Sequence, residues 1–507
     1  MAFRKAVAWL LAGASAVSVA SAPAYAQTAT SDAAKRAARA EALRVVDGWL
    51  ASVRDYERIP ALSAGVVVGD ELVWAKGYGT LDAAGKVPAT PKTVYSICSI
   101  SKLFTSIALM QQWEAGKVRL DEPVATYLPW ATLKPGTGDS GPVTLRGALT
   151  HSAGLPRESD FPYWTDPKNP FPTREELRAR MAQQAPLYPT SRYFQYSNLG
   201  ITLVGETVEA ASGEPYARYV QARILDPLGM KDTRTVLPKD LLGKQLAVGW
   251  GARKRDGSRD LLPPFDTRGI APAAGFTSNV EDLGRFAAWQ FRLLRTEKPE
   301  VLKASTLREM QRVQFMDPDW QTSWGLGFAV SRIGSQTYVG HGGSCPGYET
   351  IVRLHVPTET GVIVLENAPE RTGEHANGVF ALLRKREGFS FKAPEPAKDV
   401  QLEAYAGRYS GQPFASEVLV LPWGGGLASL RLPSRAPADD LAVLKPKGGD
   451  VFRRVRADGS EAEEVVFERD AAGKVVRFVQ FSNPRTLIPE AAEKAAPAPP
   501  RGRRPSR

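Results

Sequence analysis

The stretch YSICSISKLFTSIALMQQWEAGKV, Tyr95 to Val118, places Ser99 and Lys102 at the mouth of an apolar run, with Cys98 just before them. Three residues is close to one helical turn, so a helix beginning here brings the hydroxyl and the amine onto one face. Leu103, Ile107 and Met110 share a face of the same helix, and Gly116 is a suitable stop. A hydroxyl beside an amine is either a solvated helix start or a nucleophile beside its proton acceptor. S-x-x-K alone does not separate the two, so the rest of the chain must.

Strand patterns lie on both sides of this helix, far apart in sequence. Asp32 to Arg54 reads as an amphipathic helix, and LSAGVVVGDELVWAKGYG as two β-branched runs joined in a hairpin at Gly69-Asp70. From the S-x-x-K helix to about residue 290 the pattern is helical, broken by Pro/Gly loops. NLGITLVGETVEAASG ends at Gly213, and PYARYVQARILDPLG ends near Pro227. Strand patterns return in WGLGFAVSRI, TYVGHGG, YETIVRLHV and GVIVLEN, and GEHANGVFALLRKREG closes with a helix. If these strands form one sheet, the two ends of the region meet in its middle. That is an α/β fold, an antiparallel sheet flanked by helices with an all-helical insertion, and the cleft between the two parts is the natural ligand site. Residues 27–387 would form this domain. A Pro/Lys linker, 388–399, leads to short strands with turns at Ala457-Asp458-Gly459 and Ala471-Ala472-Gly473, read as an antiparallel β-barrel over 400–489.

Composition narrows the classes. At 507 residues, 43% apolar and 23% charged, the chain can bury large cores in two or three domains. Arg4 and Lys5, an apolar run and Ala24-Tyr25-Ala26 predict a signal peptide over 1–26 and a mature chain starting near Gln27. No later stretch is long and apolar enough to span a bilayer, so a periplasmic or secreted protein is expected. The formal charge of +11 does not signal nucleic acid. Part of it sits in the leader and part in the Pro/Ala/Arg-rich tail, 490–507, read as disordered, and no basic stripe with interleaved aromatics appears between them. Two cysteines, Cys98 and Cys345, cannot make a disulfide framework or a Cys-ligated zinc site. The four histidines, His151, His341, His355 and His375, show no metal spacing, so neither metal nor cofactor is expected.

Two further motifs bear on Ser99. Tyr196-Ser197-Asn198 stands at a helix start inside the insertion, where it could simply be a cap. His341-Gly342-Gly343 ends a strand, where it could simply be a turn. Thr150-His151-Ser152-Ala153-Gly154 looks like a nucleophile elbow but lacks the first glycine and a preceding strand, and is set aside. Taken in order, S-x-x-K, Y-x-N and H-x-G resemble the serine β-lactamase and penicillin-binding-protein superfamily. The likeness is to its class C-like branch of D-aminopeptidases, D-Ala-D-Ala carboxypeptidases and esterases. LTHSAGLP (149–156), PAAGFTSNVEDLGRF (272–286) and WGLGF (324–328) extend the resemblance over about residues 35–386, and residues 400–489 resemble the lipocalin-like domain of some members.

The resemblance implies Ser99 as nucleophile, with Lys102 or Tyr196 as its base. Lys102 can serve only if neutral, and Tyr196 only if its phenolate is stabilised. Asn198 would hold Lys102 and a substrate amide. The N–H groups of Ser99 and Ser344 would form the oxyanion hole, and Gly342 and Gly343 would let substrate lie against the strand. His341 stands where most β-lactamases carry lysine, giving a weaker grip on a carboxylate, and no second base dedicated to deacylation is evident. If the two oxyanion donors converge, Cys98 and Cys345 come close, and a disulfide or two buried thiols are the options. Some β-lactamases carry a bridge at matching positions. The expected activity is hydrolysis through an acyl-Ser99 intermediate, with a small-molecule or short-peptide substrate: peptides, D-amino-acid amides or esters. The alternatives are a β-lactamase or D-Ala-D-Ala carboxypeptidase, and a non-catalytic penicillin-recognising binder. The barrel would either cover the cleft or only stabilise the chain.

Overall fold

The computed structural model describes residues 24–136, 140–159, 163–165, 168–389 and 401–489, with side chains from residue 32 onward. Residues 1–23 of the expected leader, nearly all of the linker and the whole basic tail lie outside the described residues.

The principal sheet is built from β1 (Ala61–Val68), β2 (Glu71–Gly79), β3 (Ala329–Ile333), β4 (Gln336–Cys345), β5 (Tyr348–His355) and β6 (Thr360–Glu366). Their order is β2-β1-β6-β5-β4-β3, and two-residue strands at Ser323–Trp324 and Phe315–Met316 extend the β3 edge. Every pairing is antiparallel. The register Leu62↔Glu366 through Val68↔Thr360 lays the N-terminal hairpin against the last strand, so the two ends of the domain do meet mid-sheet. Both faces of the sheet are covered, which is why the strands read as nearly continuous apolar runs. On β6, Val362 and Val364 point into one core while Ile363 and Leu365 point into the other.

Five longer helices set the layers: α1 (Ala24–Tyr56), α2 (Ser101–Glu114), α3 (Asn198–Ser212), α4 (Val280–Thr296) and α5 (Thr372–Glu387). α1 and α5 cover one face of the sheet, while α4 and the helical insertion carrying α2 and α3 cover the other. Helix α2 is more central than one apolar face implies: every residue from Ser101 to Met110 is buried. α3 ends as its sequence suggests, at Gly213 with φ 76°, a conformation that costs glycine little.

The C-terminal strands β7 (Gly407–Ser410), β8 (Glu417–Trp423), β9 (Gly426–Leu432), β10 (Leu441–Gly448), β11 (Val451–Val455), β12 (Glu461–Arg469), β13 (Val475–Gln480) and β14 (Asn483–Thr486) form an antiparallel meander. It comes close to closing on itself, through a bridge between Tyr409 and Leu487. Tyr405, Tyr409, Phe452, Phe467 and Phe478 fill its interior. The outer side of β8 and β9 docks on α1 and α5, where Leu419, Trp423 and Leu430 share a core with Trp49 and Leu383. Trp49 Nε1 donates to the Ser434 carbonyl at 2.9 Å, and Arg386 pairs with Glu41 at 2.6 Å. The barrel thus sits on the sheet face opposite the one that carries Ser99. That placement fits a supporting role and not a cover over the cleft.

Candidate active site

The nucleophile turn precedes α2. Cys98–Ile100 form one 3-10 turn and α2 starts at Ser101, so Ser99 sits just before the helix and Lys102 in its first turn. Cys98 takes φ 47°, a sparsely allowed conformation for a residue with a Cβ, held here by surrounding contacts. Ser101 Oγ donates to the Cys98 carbonyl and accepts from Phe276 N–H at 3.0 Å. Cys98 and Cys345 are joined as a disulfide with Cα atoms 5.9 Å apart, tying this turn to the end of β4. Thiol titration of the denatured, unreduced protein is accordingly expected to find no free thiol among these two; two reactive thiols would contradict the bridge.

Lys102 is completely buried. Its Nζ donates to Asn198 Oδ1 at 2.7 Å and to the Ala273 carbonyl at 2.8 Å, and lies 3.0 Å from Ser99 Oγ, a hydroxyl that can give or take a proton. All three partners are uncharged. Burial therefore dominates and drives the ammonium well below the ordinary lysine range; Glu158 pushes the other way and Arg157 adds to the fall. Tyr196 shares a hydrogen bond with Ser99, and its ring lies 4.9 Å from Lys102 Nζ. Burial raises the Tyr196 phenol above its ordinary value, so it stays protonated near neutral pH. Ser99 itself is half-buried and open to a ligand.

Asn198 is the first residue of α3, whose cap is Ser197: its Oγ accepts from Gly200 N–H at 2.9 Å. The capping role and the functional placement coexist, since Asn198 Oδ1 faces Lys102 while its Nδ2 donates to Glu158 Oε1 at 2.5 Å.

On the opposite wall, β3 pairs only with Gln336–Gly340 of β4, leaving one edge of His341–Cys345 without a partner among the described strands. Gly343 explains how close this strand comes. A Cβ there would sit 2.1 Å from the Ile97 carbonyl oxygen and 2.4 Å from Thr350 Oγ1. Gly342 and Ser344 are exposed, and Ser344 pairs with Glu349 across β4 and β5. Thr350 Oγ1 donates to the Ile97 carbonyl at 3.2 Å, pinning the strand to the nucleophile turn.

His341 is buried and its Nδ1 faces the Gly342 carbonyl. A carbonyl only accepts, so Nδ1 carries the proton and Nε2 is left as an acceptor, buried without a partner. Burial and the neighbouring Lys102 push the imidazole down to about 3. The unfolded chain takes up this proton near pH 6.5, and the folded one only near pH 3. Stability linked to His341 is thus fully present above pH 6.5 and is lost as pH falls toward 3, by about 1.4 kcal/mol per unit. Urea midpoints at pH 7 and pH 5 should diverge less in His341→Asn than in the parent; an unchanged difference would refute the assignment.

The expected site residues converge here, and four more join them. His151, from the discarded THSAG segment, accepts from Ser197 N–H at 3.1 Å and lies with its ring centroid 4.3 Å from that of Tyr196. Trp324 packs edge-on against His151 and His341, at 5.1 and 5.4 Å. Arg157 places its guanidinium 5.0 Å from the Tyr196 ring, with Glu158 beside it. The LTHSAGLP and WGLGF phrases contained two of these residues but gave no sign of what their side chains do; nothing in the spacing marked Arg157 or Glu158.

Fold and site together define the β-lactamase-fold class of serine hydrolases. The chain belongs to the Beta-lactamase family, whose model matches residues 24–385. It is 27% identical over 317 residues to beta-lactamase-like protein 2 of Dictyostelium discoideum, covering 60% of this chain and 55% of that protein. It is 32% identical over 187 residues to the D-alanyl-D-alanine-carboxypeptidase/endopeptidase AmpH of Escherichia coli K12, covering 37% of this chain and 48% of AmpH. The match thus spans about half the length of each of these relatives. In structure it resembles the octameric penicillin-binding protein homologue from Pyrococcus abyssi, with a TM-score of 0.60 at 24% identity, over 87% of this chain and 98% of that one.

Proposed function

We propose that the protein is an exported serine hydrolase working through an acyl-Ser99 intermediate on small peptides, D-amino-acid amides or esters. The observation that carries this reading is Lys102: wholly buried, 3.0 Å from Ser99 Oγ, and touching only uncharged partners. A lysine held neutral can take a proton. In the first step Lys102 Nζ accepts the Ser99 proton as Oγ bonds to the substrate carbonyl carbon. The negative charge that builds on the carbonyl oxygen is met by the N–H groups of Ser99 and Ser344. Tyr196, protonated and hydrogen-bonded to Ser99, passes a proton to the departing amine or alkoxide and recovers one from Lys102. Water then attacks the acyl ester, with the same groups running in reverse.

His341 bears on the substrate. Buried and neutral, it brings no positive charge to a substrate carboxylate, which favours uncharged amides and esters. A second reading, D-Ala-D-Ala carboxypeptidase, draws on the AmpH likeness and on Arg157, a largely exposed cation at the Tyr196 ring that could meet a carboxylate. The apolar leader supports a periplasmic or secreted location, for which N-terminal sequencing of the mature protein should begin near Gln27.

The test is a panel of D-amino-acid amides, short-chain esters, D-Ala-D-Ala peptides and β-lactams, with mass spectrometry after penicillin. Fast turnover of amides or esters that is lost in Ser99→Ala supports the first reading, and turnover of D-Ala-D-Ala peptides the second. A long-lived penicillin adduct points to a penicillin-binding protein or sensor, and no reaction at all would overturn hydrolase activity in favour of a binder.

A further inference from the structure

Glu158 lies outside the three motifs, 40 residues before Asn198, yet it touches the lysine's own partner. Its Oε1 accepts from Asn198 Nδ2 at 2.5 Å and from Trp164 Nε1 at 2.7 Å. Its side chain is only 16% exposed. A carboxylate has no proton to give, so only the NH₂ end of Asn198 can face it. The carbonyl end of Asn198 is thereby turned to Lys102 Nζ, which it accepts at 2.7 Å. A neutral amide at Asn198 could otherwise sit either way round, since a neutral Lys102 both donates and accepts. The backbone reinforces the arrangement: Asn198 N–H donates to the Arg157 carbonyl at 2.8 Å, fixing the loop to the start of α3.

We propose that Glu158 is a positioning residue that locks the side-chain amide of Asn198 and, through it, holds Lys102 against Ser99. The inference rests on the acyl-Ser99 reading for its catalytic meaning, but the lock itself is a property of four side chains in series: Glu158, Asn198, Lys102 and Ser99. Glu158 is also the carboxylate that opposes the desolvation of Lys102. The other groups around the lysine are Arg157, whose charge acts in the opposite sense, His151 and His341, which are both neutral, and the phenol of Tyr196. Removing the Glu158 charge therefore lowers the proton affinity of Lys102 further.

The readout is the rate of fluorophosphonate labelling of Ser99 against pH, followed by mass spectrometry, in the full chain. In Glu158→Gln the acid limb of the profile should move down by about one pH unit, the effect of a nearby charge at a partly screened distance. In Glu158→Ala, which frees the amide, the labelling rate at pH 7 should fall on the order of 10²-fold, the cost of misplacing a reacting group. Glu158→Asp should recover part of the rate. An unmoved profile in Glu158→Gln, or rates in Glu158→Ala equal to the parent, would overturn the proposal. If the parent itself fails to label at Ser99, the acyl-enzyme reading fails. The lock is then read directly from the ¹³Cε resonance of Lys102, whose titration midpoint must fall in Glu158→Gln if the proposal holds and stay put if it does not.

Discussion

Lys102→Arg is expected to lower turnover, and labelling of Ser99, by about 10²–10⁴-fold while leaving the chain folded. The substitution keeps a long donor side chain opposite Asn198 Oδ1 and the Ala273 carbonyl, but a guanidinium does not give up its proton and cannot act as a base. Lys102→Met should be as inactive, because it removes the amine altogether. The pair separates chemistry from structure: one variant brings a permanent charge and the other none, and both lose the accepting nitrogen. The alternative base, a Tyr196 phenolate, makes a different forecast. If Tyr196 were the base, a permanent cation beside it would stabilise the phenolate and Lys102→Arg would keep substantial activity. The raised phenol of Tyr196 argues against that outcome. Single-turnover kinetics with the best ester from the panel, together with near-UV circular dichroism to confirm packing, decides between them.

The second large effect is expected at Gly343. Its added Cβ in Gly343→Ala would come within 2.1 Å of a backbone carbonyl, at Ile97, which cannot swing aside as a side-chain tip could. The strand must instead retreat from the nucleophile turn. Overpacking of this kind costs about 1–3 kcal/mol of stability. The catalytic loss should be larger still, on the order of 10²-fold, because the retreat carries the Ser344 N–H away from the position it must share with that of Ser99. Gly342→Ala is the control. A Cβ at Gly342 meets only the Thr350 carbonyl oxygen, at an ordinary contact distance of 3.6 Å, so its stability should match the parent. Thermal melts and labelling rates of the two variants check the contrast; equal behaviour would contradict the close approach.

The parts of this protein legible in its sequence are those where local pattern and global fold agree. The hairpin at Gly69-Asp70, the α3 stop at Gly213 and the turns of the barrel follow from turn chemistry and apolar periodicity, and the structure repeats them. The meeting of the chain ends in the sheet follows from strand patterns at both ends of the region, because neither terminal group of strands can bury its two faces alone. The strand at Phe315–Met316 is too short for any period to register, and the single strand read from Trp324 onward is in fact two, Ser323–Trp324 and Ala329–Ile333. The convergence of Ser99, Lys102, Tyr196, Asn198 and His341 came from ordered motifs, not from any local property of those residues. His151 reads in sequence only as part of a nucleophile elbow, and its place beside the Tyr196 ring, accepting from Ser197 N–H, depends on a contact 46 residues away in the chain. The third ligand of the lysine, the Ala273 carbonyl, is a backbone atom and leaves no mark on side-chain identity. Glu158 is hidden for a related reason, since an acidic residue in a polar loop reads as solvated until the fold folds it inward.

The central claim is that Ser99 is the group that forms the covalent bond. It is tested most directly by treating the folded protein with a fluorophosphonate and mapping the adduct by peptide mass spectrometry. The account predicts one equivalent of adduct on the peptide bearing Ser99, and none in Ser99→Ala. An adduct on another residue, or undiminished labelling of Ser99→Ala, would contradict it.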